Sequence, residues 1–257
     1  VDVSGNIDEL HLAQLLKASK EKTLVSLMMI NNEIGNLLSM HTVANLCKLN
    51  KALFHSDTVQ AVGHYELDLQ KIKVDFIVAS AHKFHGPKGV GFAFFRKGFG
   101  ILPMLHGGDQ EKGARSSTES VHAILGMEKA LEIAHNALQK DIAYVDGLKV
   151  FFISELKKIS KDIRFNGLSG DLEKSSYTIL NVRFPVKNDM LLFSLDMAGI
   201  AVSGGSACQS GSNKGSHVLA EILFDGEEDK TSIRFSFSKF TQKEDLEVTI
   251  SKLKGLL

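Results

Sequence analysis

Two hydrophobic rhythms alternate along the first half of the chain. Leu10, Leu12, Leu15 and Leu16 fall on one side of a helix over residues 8–20. Residues 23–30 are an almost unbroken apolar run, as expected of a strand covered on both faces. A helix over 40–49 follows, then strands over 52–55, 76–79 and 91–96. This alternation predicts right-handed crossovers and a mostly parallel sheet. From about 120 to 160 the apolar positions recur at helical spacing, through Val121, Ile124, Leu125, Leu131, Leu138, Ile142 and Val145. That reads as a long helix bridging two domains, broken near Gly147. Beyond it lie a strand over 177–184, a helix over 189–198, an alternating half-buried strand over 232–238 and a final helix from about Thr241. The expected architecture is α/β, with a large domain over 1–138 and a smaller α+β domain over 139–257.

Each of the first three apolar runs is followed by a polar cluster. The run 23–30 leads to Asn31-Asn32-Glu33-Ile34-Gly35. The run 52–55 leads to Ser56-Asp57-Thr58-Val59-Gln60, and 76–79 to Ser80-Ala81-His82-Lys83-Phe84-His85 and a Gly86-Pro87-Lys88-Gly89 turn. In a parallel sheet these clusters would share the carboxyl rim, where open α/β folds bind ligands. Lys83 is then either a basic loop residue or an amine held for covalent chemistry. A lysine amine brought toward neutrality condenses with an aldehyde to a Schiff base. Pyridoxal phosphate is the usual such aldehyde, and its ring nitrogen needs a carboxylate, for which Asp57 is placed. Gln60 and Asn32 can hydrogen-bond the ring oxygen, and Ser80 and His82 the phosphate. Asp57 also reads as a helix N-cap, and Asn32 as a turn residue. His82 and His85 are not read as a metal pair, because no third ligand is evident and a lysine stands between them.

Composition narrows the classes. The 257 residues carry 30 basic and 30 acidic side chains, so no charge footprint for nucleic acid or an acidic membrane exists. No apolar run reaches membrane-spanning length, and the start is not that of a signal peptide. There is no initiator Met and the chain starts as if mid-fold, so a longer protein is expected. Two cysteines in unlike contexts do not make a disulfide framework, which suits a reducing cytoplasm. Cys47 lies in a helical apolar stretch and reads as a small buried hydrophobe. Cys208 lies in the Gly/Ser-rich stretch 203–212 and reads as an exposed, mobile thiol, or as a tolerated loop residue. Arg234, in an alternating strand, is a candidate carboxylate clamp or an ordinary strand arginine.

Taken together, these motifs resemble the cysteine desulfurases of the class V aminotransferase group. The resemblance rests on Asn31 to Gly35, His55-Ser56-Asp57 with Gln60, Ser80-Ala81-His82-Lys83, His106-Gly107-Gly108, Arg115-Ser116-Ser117-Thr118, Ser203-Gly204-Gly205-Ser206-Ala207-Cys208 and Ser232-Ile233-Arg234-Phe235. It implies fold type I of the pyridoxal phosphate (PLP) enzymes. It implies Lys83 carrying PLP and moving protons, Asp57 on the ring nitrogen, and Gln60 and Asn32 on the ring oxygen and substrate side. Ser80 and His82 would hold the phosphate, and Thr118 would reach the phosphate of the partner's PLP in a homodimer. Arg234 would bind the carboxylate of L-cysteine, and Cys208 would take its sulfur as a persulfide, leaving alanine. The long Cys208 loop resembles the group that passes sulfur to an iron–sulfur scaffold or another acceptor.

Two motifs depart from the family pattern: Ser56 stands in place of Val, and Ser117 in place of Gly. The family's N-terminal part, with a phosphate-binding Gly/Thr loop and a ring-stacking residue, is absent from these residues. The alternatives are a selenocysteine lyase or a truncated, catalytically impaired relative.

Overall fold

The computed structural model describes residues 1–205 and 215–257. Contacts divide the chain into two compact units. One comprises residues 13–29 and 39–138, the other 1–12, 30–38 and 139–257.

The first unit is built on a four-stranded sheet in chain order, β1 (Leu24–Met28), β2 (Leu53–Asp57), β3 (Phe76–Ser80) and β4 (Gly91–Phe95). β1, β2 and β3 run parallel, and β4 returns antiparallel against β3. The sheet is thus mostly parallel, as the alternation of helix and strand predicts. β1 departs from the expectation of two covered faces. It lies at the edge of this sheet, and Leu24 and Ser26 on its alternate face are exposed. Helix α1 (Glu9–Ala18) precedes β1, and helix α2 (Met40–Leu49) buries Met40, Val43, Ala44 and Cys47 on one stripe. The β3 end is fixed from beneath by a cluster of Val62, Ala79, Ala81 and Phe84, with Phe92, Met127, Ala130 and Leu131 packed against it. Burying a side chain the size of Phe84 contributes about 2–3 kcal/mol relative to exposure.

The second unit carries a three-stranded antiparallel sheet in the order β5 (Arg164–Phe165), β6 (Ile179–Arg183), β7 (Ser232–Ser236). Phe152 stacks edge-on to Phe235 and Phe237, 4.9 and 5.9 Å between ring centroids. Helices α4 (Leu191–Met197), α5 (His217–Ala220) and α6 (Lys243–Leu256) complete this unit. The long helix α3 (Val121–Ile159) gives its residues up to Leu138 to the first unit and the remainder to the second. It is not broken at Gly147. That glycine is exposed and has nothing within 4 Å of where a side chain would begin. A mid-helix glycine costs only about 1 kcal/mol, which the packing of Val145, Leu148 and Phe152 outweighs.

Among the described residues, no helix is long and apolar enough to cross a membrane.

Candidate active site

In the first unit the polar clusters fall at strand ends for a topological reason. β2 and β3 are parallel neighbours with Asp57 opposite Val78, so both finish on the same rim. Asp57 is the last residue of β2 and half-buried. Its Oδ1 accepts the Val59 backbone N–H at 2.9 Å, a local turn that sets the carboxylate in place. Thr58, fully buried, donates its hydroxyl to the Val78 carbonyl at 2.8 Å and ties the two strand ends together. Gln60 follows, half-buried, in the turn after β2.

Ser80 closes β3 and precedes a single 3₁₀ turn, Ala81–Phe84. Within that turn Ala81 and Phe84 are buried, His82 is exposed and Lys83 is half-buried. The buried pair acts as a two-point anchor, so the intervening residues are presented by a fixed backbone. His85 ends the turn in a left-handed conformation, φ 66°. The Lys83 carbonyl is held by the His64 ring, Nε2 at 2.8 Å. A carbonyl only accepts, so the proton of this imidazole lies on Nε2. His64 comes from the turn after β2, which approaches closely because Gly63 stands there. A side chain on Gly63 would begin 2.4 Å from Phe84 Cβ, and its φ of +81° suits only glycine.

Thr118 is exposed and outside regular structure. The neighbouring Ser117 has φ +124°, a backbone conformation natural to glycine and strained for serine. That explains why a glycine is the expected residue at this position.

In the second unit Arg234 sits on β7, half-buried, and donates Nη1–H to the Asn32 carbonyl at 2.7 Å. Ser203 and Arg234 exchange backbone hydrogen bonds of 2.7 and 3.2 Å. Asn181 Nδ2 donates to the Glu33 carbonyl at 3.0 Å. Asn32 and Glu33 are therefore clamped to β6 and β7. Cys208 lies outside the described residues. Cys47 is buried among α2 side chains. Burial, with the Asp75 charge adding to it, pushes its thiol up to about 11.

Structure thus brings Asp57, Gln60, Ser80, His82 and Lys83 to adjacent strand ends of one unit, and Asn32 and Arg234 together in the other. Two further residues were given no role by the sequence reading. His64 has no periodicity or spacing to announce it. Glu33 was visible only as part of the Asn31 to Gly35 turn, yet it is completely buried. Among the described residues no group of three or more His, Cys, Asp or Glu is arranged to hold a metal.

The sequence profile of the aminotransferase class-V family matches residues 1–248, and the chain belongs to that family. The fold is that of the fold type I PLP enzymes, with one α/β unit and one α+β unit. Among its relatives is the cysteine desulfurase IscS of Dictyoglomus turgidum, 39% identical over 260 residues, covering 100% of this chain and 64% of the relative. The IscS of Photobacterium profundum is 36% identical over 257 residues, covering 98% of this chain and 61% of the relative. The solved NifS-like protein from Rickettsia africae superposes with a TM-score of 0.89 at 31% identity, covering 100% of this chain and 68% of that one. The chain therefore spans a little over three fifths of the length of these curated relatives.

The family's cofactor is pyridoxal phosphate. The donor set at the β2 and β3 ends fits it: an amine for the aldehyde, a carboxylate for the ring nitrogen, a hydroxyl and an imidazole for the phosphate.

Proposed function

We propose that the protein, at its native length, is a PLP-dependent cysteine desulfurase. The observation that carries this reading is the placement of Asp57 and the Ser80–Lys83 turn at adjacent parallel strand ends, in a chain that aligns along its whole length with cysteine desulfurases.

Lys83 would hold the cofactor's aldehyde carbon, and Asp57 would face the pyridine nitrogen. Gln60 and Asn32 would donate to the ring oxygen, and Ser80 and His82 would hold the phosphate. When bound, pyridoxal phosphate supplies an electron sink for the bonds around the substrate Cα. Lys83 Nζ takes and returns the proton at Cα, for which its anchored backbone gives a fixed origin. Arg234 has a planar fork suited to the carboxylate of L-cysteine. Cys208 attacks the substrate sulfur as thiolate. Its S–S bond forms as the substrate C–S bond breaks, so cysteine and one protein thiol become alanine and one persulfide. The outer sulfur then passes to an iron–sulfur scaffold or another thiol acceptor.

We further propose a homodimer working in the cytoplasm. Leu102 and Met104, 91% and 94% exposed, form an apolar segment beside His106 and near Thr118 in sequence, as an interface with a second copy would use. Thr118 would there reach the partner's phosphate group. The use of only two cysteines, neither set for a framework, fits a reducing compartment.

The test is a paired assay of the native-length protein with L-cysteine and L-selenocysteine. Stoichiometric alanine from cysteine supports the reading; selenide release with negligible alanine from cysteine overturns it in favour of a selenocysteine lyase. No alanine from either substrate would identify an impaired relative.

A further inference from the structure

The carbonyl of Lys83 stands at the exit of its 3₁₀ turn, where the local backbone does not satisfy it. In a helical turn a carbonyl accepts from the amide three or four residues on. Three on is Gly86, whose N–H donates instead to the Ala81 carbonyl at 2.8 Å. The His85 N–H goes to Ala81 as well, and His85 itself leaves the helical conformation with φ 66°. Four on is Pro87, which has no N–H to give. The turn's own ladder therefore passes Lys83 by. A carbonyl at such an exit turns to water or to a side chain, and only the side chain fixes it in place. Here the donor is His64 Nε2, 2.8 Å away.

His64 belongs to the stretch of chain that leaves Asp57. Asp57 Oδ1 accepts the Val59 N–H. The Thr58 carbonyl accepts the amides of Ala61 and Val62 at 2.8 and 3.0 Å, and the Ala61 carbonyl accepts those of His64 and Tyr65, each at 2.9 Å. Thr58, Ala61 and Val62 are buried. These turns are hydrogen-bonded in succession from Asp57 to His64, so the imidazole has a fixed origin. The β2–β3 pairing ends at Asp57 and Val78. Beyond it, side-chain hydrogen bonds tie the two segments twice, from Thr58 to the Val78 carbonyl and from His64 to the Lys83 carbonyl.

We propose that His64 is a positioning residue for Lys83. Its imidazole N–H clasps the Lys83 backbone to the turns that follow Asp57, so the amine for the cofactor's aldehyde and the carboxylate for its ring nitrogen keep one spacing. The proposal deepens the PLP reading and rests on it for the effect on turnover. The hold on the backbone does not depend on that reading.

The experiment compares His64→Ala, His64→Phe and His64→Gln with the parent at native length. Phe keeps a ring without the N–H, and Gln returns an amide N–H at nearly the reach of Nε2. One readout is amide hydrogen exchange of residues 81–86 in protein stripped of cofactor. A second is the rate at which added pyridoxal phosphate is captured on Lys83, trapped with borohydride and counted by mass spectrometry. The others are kcat and KM for L-cysteine and the denaturant midpoint. In His64→Ala and His64→Phe, exchange rises about tenfold, capture slows about tenfold and kcat falls about tenfold, while KM stays within about twofold. His64→Gln recovers most of the parent values. Parent-like exchange and capture in His64→Phe would overturn the proposal, because the bulk of a ring would then suffice. A lowered denaturant midpoint with exchange and capture unchanged would also overturn it, making His64 a residue of the fold alone. Failure of His64→Gln to recover exchange or capture counts against it equally. Should His64→Ala not fold, the other two variants decide. If the parent captures the cofactor but forms no alanine from L-cysteine, the desulfurase reading fails, and exchange and capture still judge His64.

Discussion

The two units hold their polar residues by different means. In the first, the key side chains sit at the ends of parallel strands, and the backbone that presents them is held by the apolar anchors Ala81 and Phe84 and a few local hydrogen bonds from Thr58, Val59 and His64. In the second, they are embedded in a buried hydrogen-bond network. Asn36 donates to the Ser4 carbonyl and accepts from Leu168 N–H, Asn181 reaches Glu33, and Lys149 donates to Ser175 and Ser176. Strand ends position chemistry with few contacts because topology supplies the direction. A polar network positions it through mutual satisfaction, so every member matters. The first arrangement suits holding one cofactor, the second suits registering several loops.

Substitutions separate the two. The largest expected effect is at Lys83: Lys83→Ala abolishes turnover and the cofactor's visible absorbance band. Next, Asp57→Asn lowers kcat by roughly a hundredfold, because only a carboxylate keeps the ring nitrogen protonated, and Gln60→Ala by roughly tenfold or less. Equal rates for the two would refute that ranking. Arg234→Ala, in the other unit, keeps the absorbance band and raises KM for L-cysteine by roughly tenfold, as loss of a bidentate clamp predicts. A lost absorbance band in Arg234→Ala would show that the division of labour is wrong.

Stability sharpens the same contrast. Gly63→Ala forces a left-handed backbone on alanine and drives a methyl into Phe84. It costs about 2 kcal/mol by denaturant titration and loosens the Lys83 turn, visible as weaker cofactor retention. In the second unit, burial lowers the Lys149 amine to about 8, against partial opposition from Asp146 and Asp171. A depressed folded-state value means the unfolded chain binds the proton more tightly. Stability from this group is therefore fully present above the ordinary value of 10.5 and is lost as pH falls through about 8. Relative to Lys149→Met, the parent gains stability between about pH 8 and 10.5, and a flat difference across that window would contradict the buried-amine account.

How much of this was legible differs between the units in the same way. Asp57, Ser80, His82 and Lys83 follow apolar runs directly, and the parallel order of β1 and β2 was implied by the helix between them, whereas β2 and β3 are joined by turns that carry no such signal. The second unit's site was legible only as motifs. That residues 1–12 and 30–38 join 139–257 depends on side-chain hydrogen bonds between residues far apart, such as Asn36 with Leu168, and no periodicity encodes those. The burial of Glu33 was invisible for the same reason, since its sequence neighbours are turn residues. The continuity of α3 through Gly147 was missed because local propensity yields to packing by Leu148 and Phe152. The strain at Ser117 could be inferred only as a departure from a glycine pattern.

The central claim is that Lys83 serves the cofactor while Cys208 takes the sulfur. Its most direct test is a single turnover of L-cysteine by the native-length holoprotein, followed by mass spectrometry of the two cysteine-bearing peptides. The account predicts one added sulfur atom on the Cys208 peptide, one alanine per added sulfur, and none on Cys47, whose thiol is buried and held near 11. Cys208→Ala should keep the cofactor band and lose the persulfide. Alanine and sulfide released at the parent rate by Cys208→Ala, or the added sulfur found on Cys47, would contradict it.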